Sequence, residues 1–110
     1  MKLVTAIIQP YMFDKLARVF RKTHHACFTV FPVKSFGVPE GGMAVDLMTE
    51  KVRVDVVVQD EEAIEVAELI ANTVGTHQEG DGMVFVSEIS YAININTGQR
   101  GAEALQPSAD

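Results

Sequence analysis

Residues 3 to 8 read Leu-Val-Thr-Ala-Ile-Ile, and Gln9-Pro10 closes the run. Apolar and partly β-branched, the stretch reads as a strand whose two faces are both substantially buried. Its neighbours must supply the cover. Downstream, Phe13, Leu16, Ala17, Val19 and Phe20 recur with helical spacing, while Asp14, Lys15, Arg18, Arg21 and Lys22 take the other side. A helix is predicted over about 12 to 24, with Asp14 in its first turn and the basic residues later, as the helix dipole favours. Cys27 to Phe36, rich in Val, Phe and Thr, reads as strand two, and Pro32 marks an edge or a bulge.

The segment GVPEGGMAVDLMTE, 37 to 50, reads as a loop because glycines and a proline crowd its start. Val52, Val54 and Val56 alternate with Arg53, Asp55 and Val57 to give strand three. Asp60 is a candidate cap for a second helix running to about Asn72, with acidic residues at its positive end. The turn Gly80-Asp81-Gly82 leads into strand four, Met83 to Glu88. Ser90 to Ile95 is expected as a short fifth strand before a Thr97-Gly98 turn, and the polar, alanine-rich tail from Gly101 as loose chain. The domain is placed at 1–105 and a flexible tail at 106–110.

Strand, helix, strand, strand, helix, strand is the order of an α+β, ferredoxin-like split βαβ (βαββαβ) subunit with an antiparallel sheet. Two helices cover one face of such a sheet. Val4, Ala6 and Ile8 cannot all be screened by helices that also cover Leu3 and Ile7, so one apolar face is left as an association surface. A closed homo-oligomer with sheets facing one another follows.

With 110 residues, 47% of them hydrophobic, the chain fits one domain with a real core. Nine basic against fifteen acidic residues give a formal charge of -6, which argues against nonspecific binding to nucleic acid or an anionic membrane. No apolar run approaches the roughly 20 residues of a spanning helix. Gln9-Pro10 interrupts the first apolar run too early for a signal peptide, and one cysteine excludes an intrachain disulfide framework, so the expected location is the cytoplasm.

Lys34-Ser35-Phe36-Gly37 and Gly80-Asp81-Gly82 are turn sequences whose glycines can bring backbone amides close to a bound group, or simply turn the chain. They match neither a Walker loop nor a dinucleotide-binding fingerprint. His24, His25 and Cys27, with His77 elsewhere, form the one soft-ligand cluster, but adjacent histidines lack the i, i+4 spacing a metal favours. They read instead as a solvated helix C-terminal cap. Ser87 and Ser90 have no histidine beside them, and the carboxylates show no pairing across a substrate, so catalysis is not expected.

The motifs AIIQP at 6 to 10, TVFPVKSFG at 29 to 37, KVRVDVVV at 51 to 58, GDGMVFV at 80 to 86 and NTGQRG at 96 to 101 resemble the P-II nitrogen-regulatory signal-transduction proteins. Thirteen residues separate Gly82 from Asn96, and the combination of the two glycine motifs is the most specific part of the match. The resemblance spans the chain to about Leu105. It implies a homotrimer of ferredoxin-like subunits, adenine-nucleotide clefts between subunits, and a protruding loop that controls an enzyme or membrane transporter in nitrogen utilisation. Cofactor-binding positions implied in this way are Ile7, Thr29, Lys34, Ser35, Phe36, Gly37, Val57, Gly80, Asp81, Gly82 and Met83. Pro39, Gly41, Met43, Leu47 and Met48 are the implied partner contacts, since that loop mixes glycine mobility with apolar anchors.

The departures concern charge. Gln78, Met83, Asn94 and Asn96 stand where the family carries basic residues, Val38 replaces an arginine, and Pro39 replaces the glutamine linked to magnesium and 2-oxoglutarate. The loop is shorter and carries no tyrosine for uridylylation. Each missing charge-assisted hydrogen bond is worth roughly 1.5 to 3 kcal/mol. AMP or ADP is therefore expected to fit better than magnesium-ATP with 2-oxoglutarate, although Lys34, Lys51, Arg53 and Arg100 are candidates for a compensating field. The second reading is a trimeric interaction module with no small ligand. The third is a metal-responsive partner of a heavy-metal efflux system, resting on His24, His25, Cys27, Met43 and Met48.

Overall fold

The computed structural model describes residues 1–25, 27–37 and 47–105, with the side chains of Gly37 and Leu47 left aside. Six main elements follow in the expected order: β1 (Lys2–Ile8), α1 (Phe13–Lys22), β2 (Thr29–Gly37), β3 (Leu47–Val58), α2 (Ala63–Val74) and β4 (Gly82–Glu88). The sheet runs β2-β3-β1-β4. Every pairing in it is antiparallel. This is the ferredoxin-like arrangement.

Each helix starts through a 3-10 turn, at Pro10–Met12 and Asp60–Glu62. Pro10 suits the first of these because its fixed φ and missing N–H cost nothing at a helix start. Asp60 does not cap α2: no side-chain cap bond forms there, and its carboxylate instead accepts from the α-amino group of Met1 at 2.5 Å. At the other end of α1, Thr23 N–H donates to Val19 O at 3.1 Å and His25 N–H to Phe20 O at 2.9 Å, with His24 at φ 63. That is a Schellman-type stop with histidine at the left-handed position.

The side-chain period of two sorts the sheet into faces. Val4, Ala6 and Ile8 of β1 and Val54, Val56 and Val58 of β3 are buried on one face against Leu16, Phe20, Val66 and Ile70. Burying side chains of this kind contributes about 1.5 to 3 kcal/mol each. The opposite face of β1 carries Leu3, Thr5 and Ile7, in register with Val57, Asp55 and Arg53 of β3 and with Ser87, Phe85 and Met83 of β4. Phe31 of β2 pairs with Arg53 on the same side. Phe31, Val57, Met83 and Phe85 are exposed there. The helices thus screen Val4, Ala6 and Ile8 together, and the uncovered apolar face is the one that holds Leu3 and Ile7.

Four further expectations need correction. Strand two begins at Thr29 rather than Cys27, and the predicted loop 37–50 is strand at both described ends, since Gly37 pairs with Leu47 and Lys34 with Glu50. Ser90 to Ile95 is not a fifth strand; a single bridge, Ile93 to Arg100, replaces it. Asn94 bends the chain, its side-chain oxygen accepting from the amides of Asn96 at 2.9 Å and Thr97 at 3.2 Å. The chain from Gly101 is not loose at its start: Gly101–Leu105 forms a 3-10 turn with Ala104 buried. The predicted tail 106–110 lies outside the described residues.

Candidate functional site: two half-sites on one subunit

The Gly80-Asp81-Gly82 turn is built from within by Asp81. Its carboxylate accepts from the Thr76 hydroxyl at 2.5 Å, the Thr76 amide at 2.7 Å and the Gln78 amide at 3.3 Å. Those bonds, the Thr76 hydroxyl first, hold its carboxyl below the ordinary range. Asp81 is therefore the keystone of the turn. Gly82 starts β4 at φ +121, and a Cβ there would lie 1.8 Å from Ile7 O. No other residue fits so close an approach.

Two donors tie this turn to the sheet. Gln9 Nε2 donates to Gly80 O at 2.6 Å, and the ammonium of Lys51 donates to the same carbonyl. Lys51 is buried, and its strand partner is Val33. Lys34 to Gly37 follow directly, paired with Glu50 to Leu47, beyond the point where β1 ends at Ile8 opposite Val52. The β2–β3 ribbon thus rises past the sheet edge beside the glycine turn. Ile7 lies between them, opposite Met83 on one side and Arg53 on the other. Ile7, Lys34 to Gly37 and Gly80 to Met83 accordingly gather at one end of the sheet. Phe36 and Met48, a cross-strand pair on the ribbon, are both exposed. Of the other predicted partner contacts, Pro39, Gly41 and Met43 lie outside the described residues, as do Val38 and the side chain of Leu47.

Thr29 and Val57 do not join that group. Val57 pairs with Leu3, four residues before Ile7, or about 13 Å along the strand at roughly 3.3 Å per residue. Thr29 lies on β2, on the far side of β3 from β1. Both line an open groove whose other wall includes Gln59, Glu62, Asn94 and Leu105. Side-chain amides brace that wall: Gln59 Nε2 donates to Ala102 O at 3.1 Å and Asn94 Nδ2 to Ala104 O at 3.3 Å. The fold therefore divides the candidate binding residues into two separate groups.

A scan against family models matches residues 1–99 to "Nitrogen regulatory protein P-II". Among curated proteins, the nitrogen regulatory protein P-II of Rhizobium meliloti (strain 1021) is 35% identical, with 96% of this chain and 100% of the relative covered. The nitrogen regulatory protein GlnK of Escherichia coli (strain K12) is 32% identical over the same shares, and the P-II protein of Rhodobacter capsulatus 34%. The chain belongs to the P-II family. It is a P-II-type regulatory signal-transduction protein, and the names of these relatives speak for nitrogen regulation and lend no support to a role in heavy-metal efflux.

The candidate compensating cations of this P-II chain are largely committed. Arg53 makes a two-point contact with Asp55, Nε and Nη2 each at 3.0 Å, which raises its pKa further, and it stacks over Phe31 at 5.4 Å. Arg100 donates to the Tyr91 hydroxyl at 3.2 Å, and Lys34 lies 3.9 Å from Glu50. Lys51 alone of the four contacts the glycine turn. Sequence reading missed its burial, because a lysine in an alternating strand ordinarily snorkels to water. The histidines are not a simple solvated cap either: His25 is turned inward, its Nε2 3.2 Å from Glu62 Oε2. Cys27 precedes β2 and is exposed. Among the described residues no helix is long and apolar enough to cross a membrane.

Proposed function

We propose that this P-II chain is the subunit of a cytoplasmic homotrimer that takes an adenine nucleotide with few phosphates between subunits and controls a partner protein through the segment between β2 and β3 and the ribbon ends that flank it. The carrying observation is the division of the candidate ligand-binding residues. Ile7 and the glycine turn stand at one end of the open sheet face, and Thr29 and Val57 at the other. Neither half encloses a ligand alone. When open faces associate around an axis, one subunit's glycine turn meets the next subunit's groove. The exposed apolar surface of Phe31, Val57 and Phe85 supplies a driving force for that association.

Charge then selects the ligand. Met83 occupies the first position after the turn, while Asn94 spends its side chain on the 94–97 bend and the 3-10 turn. The adenine and ribose contacts survive these departures better than a triphosphate grip does. An enzyme or a membrane transporter is the class of partner, and the exposed Phe36–Met48 pair on the ribbon offers it an apolar contact.

Sedimentation equilibrium and calorimetry test the reading together. The expected results are a trimer, with ADP or AMP bound more tightly than magnesium-ATP. A stable monomer would overturn the assembly, and tight magnesium-ATP binding enhanced by 2-oxoglutarate would overturn the ligand. Replacing 39–48 with a glycine-serine segment should leave the trimer intact and abolish partner capture.

A further inference from the structure

The groove that carries Thr29 and Val57 is spanned by a side-chain pair. His25 stands on the wall that follows α1, and Glu62 on the wall that leads into α2; both line the groove. His25 Nε2 is 3.2 Å from Glu62 Oε2, and His25 Nδ1 is 3.1 Å from Thr23 Oγ1. Both ring nitrogens are thus engaged, and the imidazole is largely buried, at 19% exposure against 45% for Glu62.

The ring also has apolar neighbours. It packs on Phe20 with centroids 6.1 Å apart, and Phe20 packs edge-on against Phe28 at 5.2 Å. Phe28 immediately precedes Thr29. Contacts therefore run without a gap from Glu62 through His25, Phe20 and Phe28 to the start of β2. The described residues of the short chain between α1 and β2 have no regular secondary structure of their own, so these contacts position them.

We propose that His25 and Glu62 form a strap that fixes the width of this groove, making them positioning residues for the ligand. The inference rests on the reading of Thr29 and Val57 as half of a nucleotide cleft. Neither residue needs to touch the nucleotide. A part-exposed pair of this kind adds little to global stability. Its effect is local preorganisation, which lowers the ordering cost of binding.

The test uses full-length His25→Ala, Glu62→Ala, the double variant and Glu62→Gln, each compared with wild type by calorimetry with ADP and by hydrogen exchange of residues 27–31 without ligand. Each alanine variant should weaken ADP about five- to tenfold, with the unfolding midpoint and trimer retained. The double variant should be no worse than either single one, because both break the same strap. Glu62→Gln, which keeps an acceptor oxygen, should recover most of the affinity. Amides 27–31 should exchange faster in the alanine variants. Unchanged affinity, additive losses, or unchanged exchange would each overturn the strap. If wild type binds no adenine nucleotide, the ligand reading fails and the exchange experiment still decides the strap.

Discussion

Lys51 donates its ammonium to the carbonyl oxygen of Gly80, so a lysine within β3 anchors the turn that begins β4. The bond passes just beyond the end of β1, which lies between those strands in the sheet and stops at Ile8 opposite Val52 and Gly82. It couples the glycine turn to the β2–β3 ribbon, the physical link that the proposed mode of control requires.

Replacing Lys51 with methionine keeps the apolar stem and removes the donor. Gln9 still reaches Gly80 O at 2.6 Å, so the turn loses one of two ties. A hydrogen bond from a charged group contributes about 1.5 to 3 kcal/mol, and the burial of Lys51 favours the upper part of that range. Urea unfolding at fixed protomer concentration should show a loss of about 2.5 kcal/mol. Glutamine at 51 should lose less.

Glycine substitutions separate contact from strain. Gly82→Ala places a methyl 1.8 Å from Ile7 O at φ +121 and should prise apart the β1–β4 pairing, at a cost of about 3 kcal/mol or more. Gly98→Ala at φ +76 meets nothing within 4 Å, so it carries only the left-handed backbone penalty of about 1 to 2 kcal/mol. Thermal unfolding of the pair should rank them clearly.

Much of this architecture was legible because burial follows period. The alternation of Val52, Val54 and Val56 and the helical spacing of Leu16 and Phe20 report contacts that each element makes with the core. The extension of β3 back to Leu47 was not legible, since residues 47 to 50 pair with 34 to 37 across a loop and carry no periodic signal of their own. Nor was the role of Lys51, whose partner is remote in sequence. The failed fifth strand has a local cause: Asn94 satisfies backbone amides that a strand would have offered to a ladder. The two half-sites followed from register, which a single strand cannot reveal.

Acid should act on the glycine turn through Asp81. Its folded carboxyl is held below the ordinary range by Thr76 and the neighbouring amides, so the folded state binds this proton more weakly than the unfolded chain. The contribution is complete above the unfolded value of about 3.9 and disappears as pH falls through the folded one. Asp81→Asn should therefore unfold more easily than wild type at neutral pH, with the difference shrinking below about pH 4. Melting curves from neutral to strongly acidic pH check this; a constant difference across the range would assign the defect to packing instead.

Restoring charge at Met83 tests the reason given for ligand choice. Met83 follows Gly82, stands opposite Ile7 and is 59% exposed, so a longer polar side chain meets no packing obstacle. Its side chain shares the face of the sheet that carries Ile7, beside the turn that Lys51 anchors. A lysine there would add a charge-assisted contact to a polyphosphate, worth roughly 1.5 to 3 kcal/mol, or about ten- to more than a hundredfold in affinity. Exposure and salt screening place the expectation at the lower end. Met83→Lys should bind ATP about tenfold more tightly than wild type, gain less for ADP and least for AMP, and lose much of the gain at high ionic strength. The ordering matters more than the size, because a general increase in positive field would raise all three nucleotides alike. An equal gain for AMP and ATP, or none for either, would show that the missing cation at this position does not set the ligand preference.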